Sequence, residues 1–233
     1  MILRSYPDIG DVYYTIQSKN KRISLRITKK NTVEVCVPHV NLLQRAEEFV
    51  LEKKTWILKK LSLPKPQPII FSKNTKEFTP QHSLEIIPSH TSKTSASIEN
   101  NKVIISLSHI HDIESEGVQK FIAKIREQVL RDEAYTYIPN RVKELSKKHG
   151  FTYNSIRILH AKTRWGTCDA RNNLIFTCYI MLLPHYLIDF IILHELCHTI
   201  HKNHGQQFHT LLANITEQKK QTYERELKQY RIL

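Results

Sequence analysis

Near the start of the chain, apolar and polar residues alternate with a period of two, which puts Val12, Tyr14 and Ile16 on one face. The short run Ile23, Leu25 and Ile27 follows. Alternation of this kind predicts half-buried β-strands. Lys29, Lys30, Asn31 and Thr32 then make a polar turn into Val33, Val35 and Val37. The result is a hairpin whose second strand stops at Pro38, which has no N–H to give a ladder. After it the period lengthens. Leu42, Ala46, Phe49, Val50, Ile57 and Leu61 recur at helical spacing, and Asn41 with Gln44 three residues on resembles a capping-box start. Trp56 falls on the same stripe and is expected in the core.

Pro64, Pro66 and Pro68 forbid further helix and favour a stiff, extended connection, so a boundary is placed there. Beyond it only 84–87 and 103–107 read as strands, and the Ser/Thr-rich stretch 89–97 between them is expected to be a mobile loop. From 117 to 150 the spacing of Val118, Phe121, Ile122, Ile125, Val129, Val142 and Leu145 predicts helix, with a break or kink at Pro139 and an end at Gly150. Residues 156–159 and 174–180 read as strands around a polar turn containing Asp169, Arg171, Asn172 and Asn173. Pro184 opens a helix from about 185 to about 203, buried through Ile188, Ile191, Ile192, Leu193, Leu196 and Ile200. The pattern is α+β. It divides into β-hairpins plus a helix (1–63), a Pro-rich linker with short strands (64–116), and an α+β domain carrying a buried helix (117–233).

Composition narrows the class. A hydrophobic share of 40% and a charged share of 24% in 233 residues belong to a globular chain with a real core, not to a disordered or fibrous one. The apolar stretch 186–193 is interrupted by Asp189 and is much shorter than the roughly 20 residues that span a bilayer, so no membrane partner is expected. The first residues lack the basic and apolar segments of a secretory signal. Cys36, Cys168, Cys178 and Cys197 contain no CxxC pair and read as small buried hydrophobes. Both features point to the cytoplasm. The net charge of +13 is concentrated at the ends: residues 1–62 carry 12 basic and 6 acidic side chains, 63–116 carry 5 and 6, and 117–233 carry 18 and 10. Such ends suit either a solvated basic surface or an acidic partner such as nucleic acid.

The buried helix carries His194-Glu195-Leu196-Cys197-His198, an HExxH arrangement. Four residues of helix turn about 40° and rise about 6 Å, so two imidazoles share a face and can chelate one ion. Glu195 lies about 100° away from His194, badly placed as a ligand but able to take a proton from a water on the ion. A bare match would occur by chance in roughly one such chain in twenty. The uncharged neighbours Leu193, Leu196, Cys197, Thr199 and Ile200 sharpen it. Catalytic zinc has three protein ligands and an exchangeable fourth position. His201 and His204 compete for the third place, with His209 or a distant acid behind them. Three ligands in a row on one straight helix cannot converge tetrahedrally, and Gly205 lets the chain fold back, so the spacing favours His204.

At these residues the chain resembles the YgjP-like metallopeptidase family, a bacterial branch near the SprT and WLM proteases among the gluzincins. The resemblance runs through Arg22-Ile23-Ser24-Leu25-Arg26-Ile27, 33–38, Trp56-Ile57, Arg164-Trp165-Gly166-Thr167-Cys168, and 194–204 with Phe208. It implies a gluzincin-like peptidase domain, a zinc ion, and a third ligand in the pair Asn203-His204. The chain departs from the family pattern at Thr167, where serine is frequent, and at His209, where tryptophan commonly follows Phe208. The stretch 70–113 matches poorly.

The resulting expectation is a peptidase with zinc on His194, His198 and His204, and with Glu195 as general base. Its substrate would be an extended peptide or unfolded protein paired along the edge of the 174–180 strand. Arg164 is the first candidate to stabilise the developing oxyanion, with Tyr179 and His209 as rivals. The competing reading is a nucleic-acid-associated protein with a structural zinc. It lacks the fourth ligand that a closed site needs, since Cys197 points off the histidine face.

Overall fold

A strand that the alternation does not single out, β1 (Ile2–Tyr6), pairs antiparallel with β2 (Gly10–Ile16) in the computed structural model, which describes residues 1–28, 31–62, 69–230 and 232. The latter strand runs parallel to β4 (Val33–Val37), whose other edge takes β3 (Ser24–Ile27) antiparallel, giving the order β1-β2-β4-β3. Period two does what it predicts for Val12, Tyr14, Val33, Val35 and Val37, all buried on one face, but not for Ile16, which is exposed at the end of β2. The phenol of Tyr14 is satisfied by the Tyr6 hydroxyl at 2.6 Å. Lys29 and Lys30 of the turn lie outside the described residues, as do Pro64, Pro66, Pro68 and the boundary read there.

The helical run after β4 corrects three expectations. It is two helices, α1 (Leu43–Glu52) and α2 (Lys54–Leu61), broken at Lys53. Asn41 does not cap them. It sits inside a 3-10 turn, Val40–Leu42, and no side chain closes the α1 N-terminus. Trp56 is 43% exposed rather than in the core. The buried stripe is narrow, made by Ala46, Val50 and Ile57, and the position before Ile57 lies about 100° round the helix from it. The chain divides into units Met1–Gln67 and Pro68–Leu233.

In the second unit, β5 (Ser83–Ser89) and β7 (Lys102–Ser108) pair in parallel, with β6 (Ser95–Glu99) antiparallel on the other side of β7. The stretch expected to be a loop therefore contributes a strand. Because β6 is an edge with little to bury, it carries no apolar signature, while its Ser-rich sequence tolerates extension. Next comes α3 (Glu116–His149), continuous through Pro139, so the expected break is absent. Tyr135, whose carbonyl Pro139 leaves without an amide partner, is exposed to water. The next carbonyl, of Thr136, accepts from Asn140 Nδ2 at 2.9 Å. Gly150 ends the helix as predicted, at φ 72°, with its N–H on the carbonyl of Ser146.

The first half of α3 packs Val118, Ile122 and Val129 against Phe71, Phe78, Val103 and Ile105. Its second half packs Leu130, Ala134, Ile138, Val142 and Leu145 into a larger core shared with the elements that follow. Those are β8 (Ser155–Leu159), β9 (Gly166–Cys168) and β10 (Asn173–Thr177), in the order β8-β10-β9, with β8 parallel and β9 antiparallel to β10. Two corrections follow. The 174–180 strand stops at Thr177, because Cys178–Leu182 coils into a 3-10 turn whose Tyr179 N–H donates to the Thr177 hydroxyl. In addition β10 is central, so the edges of this sheet belong to β8 and β9.

Pro184 precedes α4 (His185–Cys197), and α5 (Gln206–Ile215) and α6 (Lys220–Leu227) complete an α+β architecture. The α4 helix is buried nearly all round, but it ends about a turn and a half before the expected position, and Ile200 is exposed. The hydroxyl of Thr199 donates to the carbonyl of Leu196 at 2.7 Å, taking one of the helix's terminal acceptors. Asp189, the interruption in the apolar run, is gripped by Arg141 of α3 through two bonds of 2.7 and 2.6 Å. No helix among the described residues is long and apolar enough to cross a membrane.

Candidate metal centre

His194 sits in the last turn of α4, and His198 caps it. The chain then reverses within a few residues. The N–H of His201 returns to the carbonyl of Cys197 at 2.9 Å, and Gly205, in extended conformation, starts α5. This reversal brings His204 back under the two helical histidines. Its Nε2 lies 3.1 Å from His198 Nε2 and 3.1 Å from His194 Nε2. Of the two rivals for third place, the structure brings His204 into the group. His201 contributes its carbonyl, which accepts from His198 Nδ1 at 2.9 Å.

These contacts define what the cluster can hold. A carbonyl cannot donate, so His198 Nδ1 carries the proton and its Nε2 presents a lone pair. Burial first, and then the neighbouring imidazoles of His198 and His204, hold His194 down to about 4, and burial also lowers His198. Imidazole lone pairs converging through Nε2 repel one another unless something positive lies between them. Two metal–nitrogen bonds of about 2.0–2.1 Å at the tetrahedral angle end roughly 3.3 Å apart, close to the spacing found. Among the described residues the group offers these three nitrogen donors and no fourth. That is the donor set of an open site. The ring of Phe208, buried on α5, supports all three imidazoles, with centroids at 5.0, 4.6 and 4.7 Å from His194, His198 and His204.

Glu195 is buried beside the triad and against β9. Trp165 O and Asp169 N bond across to Thr177 N and Asn173 O. The alternation of an antiparallel ladder therefore turns the backbone groups of Gly166 and Cys168 to the free edge. There the Cys168 N–H meets the Glu195 carboxylate. Burial pushes the Glu195 carboxyl up to about 8, against that N–H and the charge of Arg164, both of which favour the ionised form. Gly166 is what permits the approach: a Cβ at this position would stand 2.8 Å from Glu195 Cγ and 2.9 Å from its Oε1.

The remaining candidates separate clearly. Arg164 is exposed and acts on Glu195 through its charge. His209 is exposed, its ring nearly parallel to that of His204 at 6.3 Å. Tyr179 is engaged elsewhere, donating to Glu127 at 2.7 Å with His160 Nε2 at 2.6 Å. Cys197 is buried. Two contributors carry no strong signal in the sequence, namely strand β9 with Gly166, and Lys202. The Lys202 ammonium donates to Asn172 Oδ1 and to the carbonyl of Asp169 at 3.0 Å, tying the loop that carries His204 to the β9–β10 turn.

Compared with known protein families, residues 21–230 match the one described as YgjP-like, metallopeptidase domain. No curated protein matches the chain. Among solved structures, the crystal structure of the metallopeptidase zymogen of Methanocaldococcus jannaschii jannalysin is similar at 26% identity. Its TM-score is 0.36, and the match covers 40% of this chain and 94% of that one.

Proposed function

With the chain a member of the YgjP-like metallopeptidase family, and so a metal-dependent peptidase, we propose that its metal is zinc, held by His194, His198 and His204, and that Glu195 is the general base. The observation that carries this reading is the convergence of three imidazole Nε2 atoms next to a buried carboxylate outside that group. All-nitrogen donors in an open tetrahedral set suit zinc. Bound there, zinc would supply the Lewis acidity that makes a water acidic and polarises a peptide carbonyl.

The chain's own residues do the rest. Glu195 accepts a proton from the attacking water and returns it to the leaving amine, and a carboxyl whose burial moves it toward neutrality is suited to both transfers. The Cys168 N–H fixes the carboxylate's orientation, and Arg164 adds positive charge nearby. An extended peptide adds as a further strand to the free edge of β9, which runs directly past Glu195. Pairing through main-chain groups favours unfolded segments over folded loops.

The test measures zinc content and cleavage of an unfolded protein such as casein for wild type and Glu195→Gln. The variant should keep its zinc and lose a factor of about 10² to 10⁴ in rate. Equal cleavage by both proteins with metal intact would sink the assignment of Glu195.

A further inference from the structure

Among the described residues, the helix face around Trp56 is charged and without an acidic partner, in a way the peptidase reading does not use. Trp56 is 43% exposed on α2. Positions three and four after it on α2 share its face, and these are Lys59 and Lys60, both exposed; exposed Lys53 stands at the break just before α2, with its ammonium over the Phe49 ring at 5.8 Å. Ile57 and Leu61 turn away from Trp56, about 100° and 140° round the helix, into the core of the unit. Local acids do not neutralise these lysines. Residues 1–62 hold six acidic side chains, and five are engaged with other cations: Asp8 with Lys54, Glu34 with Arg26, Glu47 with Arg4, and Glu48 and Glu52 with Arg45. The sixth, Asp11, accepts from the Ser5 hydroxyl. Among the described residues Lys53, Lys59 and Lys60 have no acidic partner.

An indole left in water is unfavourable, and so is a cluster of like charges without acidic partners along the same stretch of chain. One ligand relieves both by offering flat aromatic faces at regular intervals along a polyanion. We propose that this face of α2 is a docking surface for single-stranded nucleic acid, with a base stacked on Trp56 and the flanking phosphates on Lys53, Lys59 and Lys60. A duplex keeps its bases inside the stack and cannot offer them to the indole. An acidic polypeptide or an anionic membrane would satisfy the lysines and leave the indole without a partner.

The experiment uses the full chain and a fluorescein-labelled oligothymidylate of about 15 nucleotides, read by anisotropy across a salt series. Tryptophan emission is recorded in parallel for wild type and Trp56→Phe, so that their difference isolates Trp56 from Trp165. Binding at low salt should quench the Trp56 emission, and Trp56→Ala should weaken binding by about tenfold. Three phosphate contacts predict a slope of log affinity against log salt near −2, falling to about −0.7 in Lys59→Gln/Lys60→Gln. These lysines are solvent-exposed, so that arm stands even if a tryptophan variant proves unstable. Absence of binding at low salt, a Trp56→Ala variant that binds as wild type, or a duplex, polyglutamate or phosphatidylserine vesicles bound as tightly with the same quench would each overturn the proposal.

Discussion

Replacing Gly166 by alanine tests whether close contact between β9 and Glu195 sets the peptidase's activity. The added methyl would lie 2.8, 2.9 and 3.1 Å from Cγ, Oε1 and Cδ of Glu195. Comfortable contact between such atoms begins near 3.5 Å, so the carboxylate or the strand must give way by roughly 0.7 Å. A surface glutamate would step aside at little cost. This one is 6% exposed and receives the Cys168 N–H, so displacement breaks a bond or strains packing, costing about 1–3 kcal/mol. A general base moved by the better part of an ångström loses up to about 10² in rate. Gly166→Ala should therefore lower kcat/KM on an unfolded substrate by about 10 to 100-fold and lower the Tm, while zinc content holds, because no ligand is touched. Gly117→Ala is the control, since a Cβ there meets nothing within 4 Å and alanine favours helix. If Gly166→Ala cleaves within twofold of wild type at equal zinc and equal Tm, the contact does not position the base.

Two further outcomes bear on the same centre. His204→Ala should lose zinc on gel filtration while His201→Ala keeps it, because His201 serves through its main-chain carbonyl; elemental analysis decides, and the reverse order would refute the ligand set. In metal-stripped protein the Glu195 carboxyl, raised to about 8 by burial, makes the folded chain hold a proton that the unfolded chain has lost above the ordinary carboxyl range. That contribution favours folding at acid pH and is lost as pH rises toward about 8, so the Tm advantage of metal-stripped Glu195→Gln over wild type should grow from pH 5 to 8 and then level off. A difference independent of pH would show that Glu195 titrates normally.

What the sequence makes legible follows from how each residue earns its place. Strands that bury one face write that burial as alternation, which is why Val12, Tyr14, Val33, Val35 and Val37 are read correctly. Edge strands bury little and leave almost no trace: β1 is largely exposed, and β6 hides in a serine-rich stretch. The three residues of β9 are too few to show any period, and its glycine argues against a strand unless something approaches it closely. Gly166 was visible as a residue, but its reason, the carboxylate of Glu195, comes from 29 positions further on. Pro139 fails as a breaker for a related reason, since only the fold reveals that Tyr135, whose carbonyl loses its amide partner, is an exposed residue.

The α4 helix shows where local reading ends. It carries Asp189 and Glu195, two carboxylates in one apolar run, and nothing in their immediate neighbours separates their roles. Partners do. Asp189 is closed by the two-pronged grip of Arg141, so its charge is balanced within the protein and serves to fasten α4 to α3. Glu195 meets one N–H and an exposed arginine, too little to offset its burial, and it stays poised between protonation states. The same criterion separates the histidines. His198 Nδ1 finds a carbonyl and is settled, whereas the three Nε2 atoms face one another with no protein group able to satisfy them all. Buried polar atoms that the fold completes are structural, and those that converge without completion mark where a cation and its substrate belong.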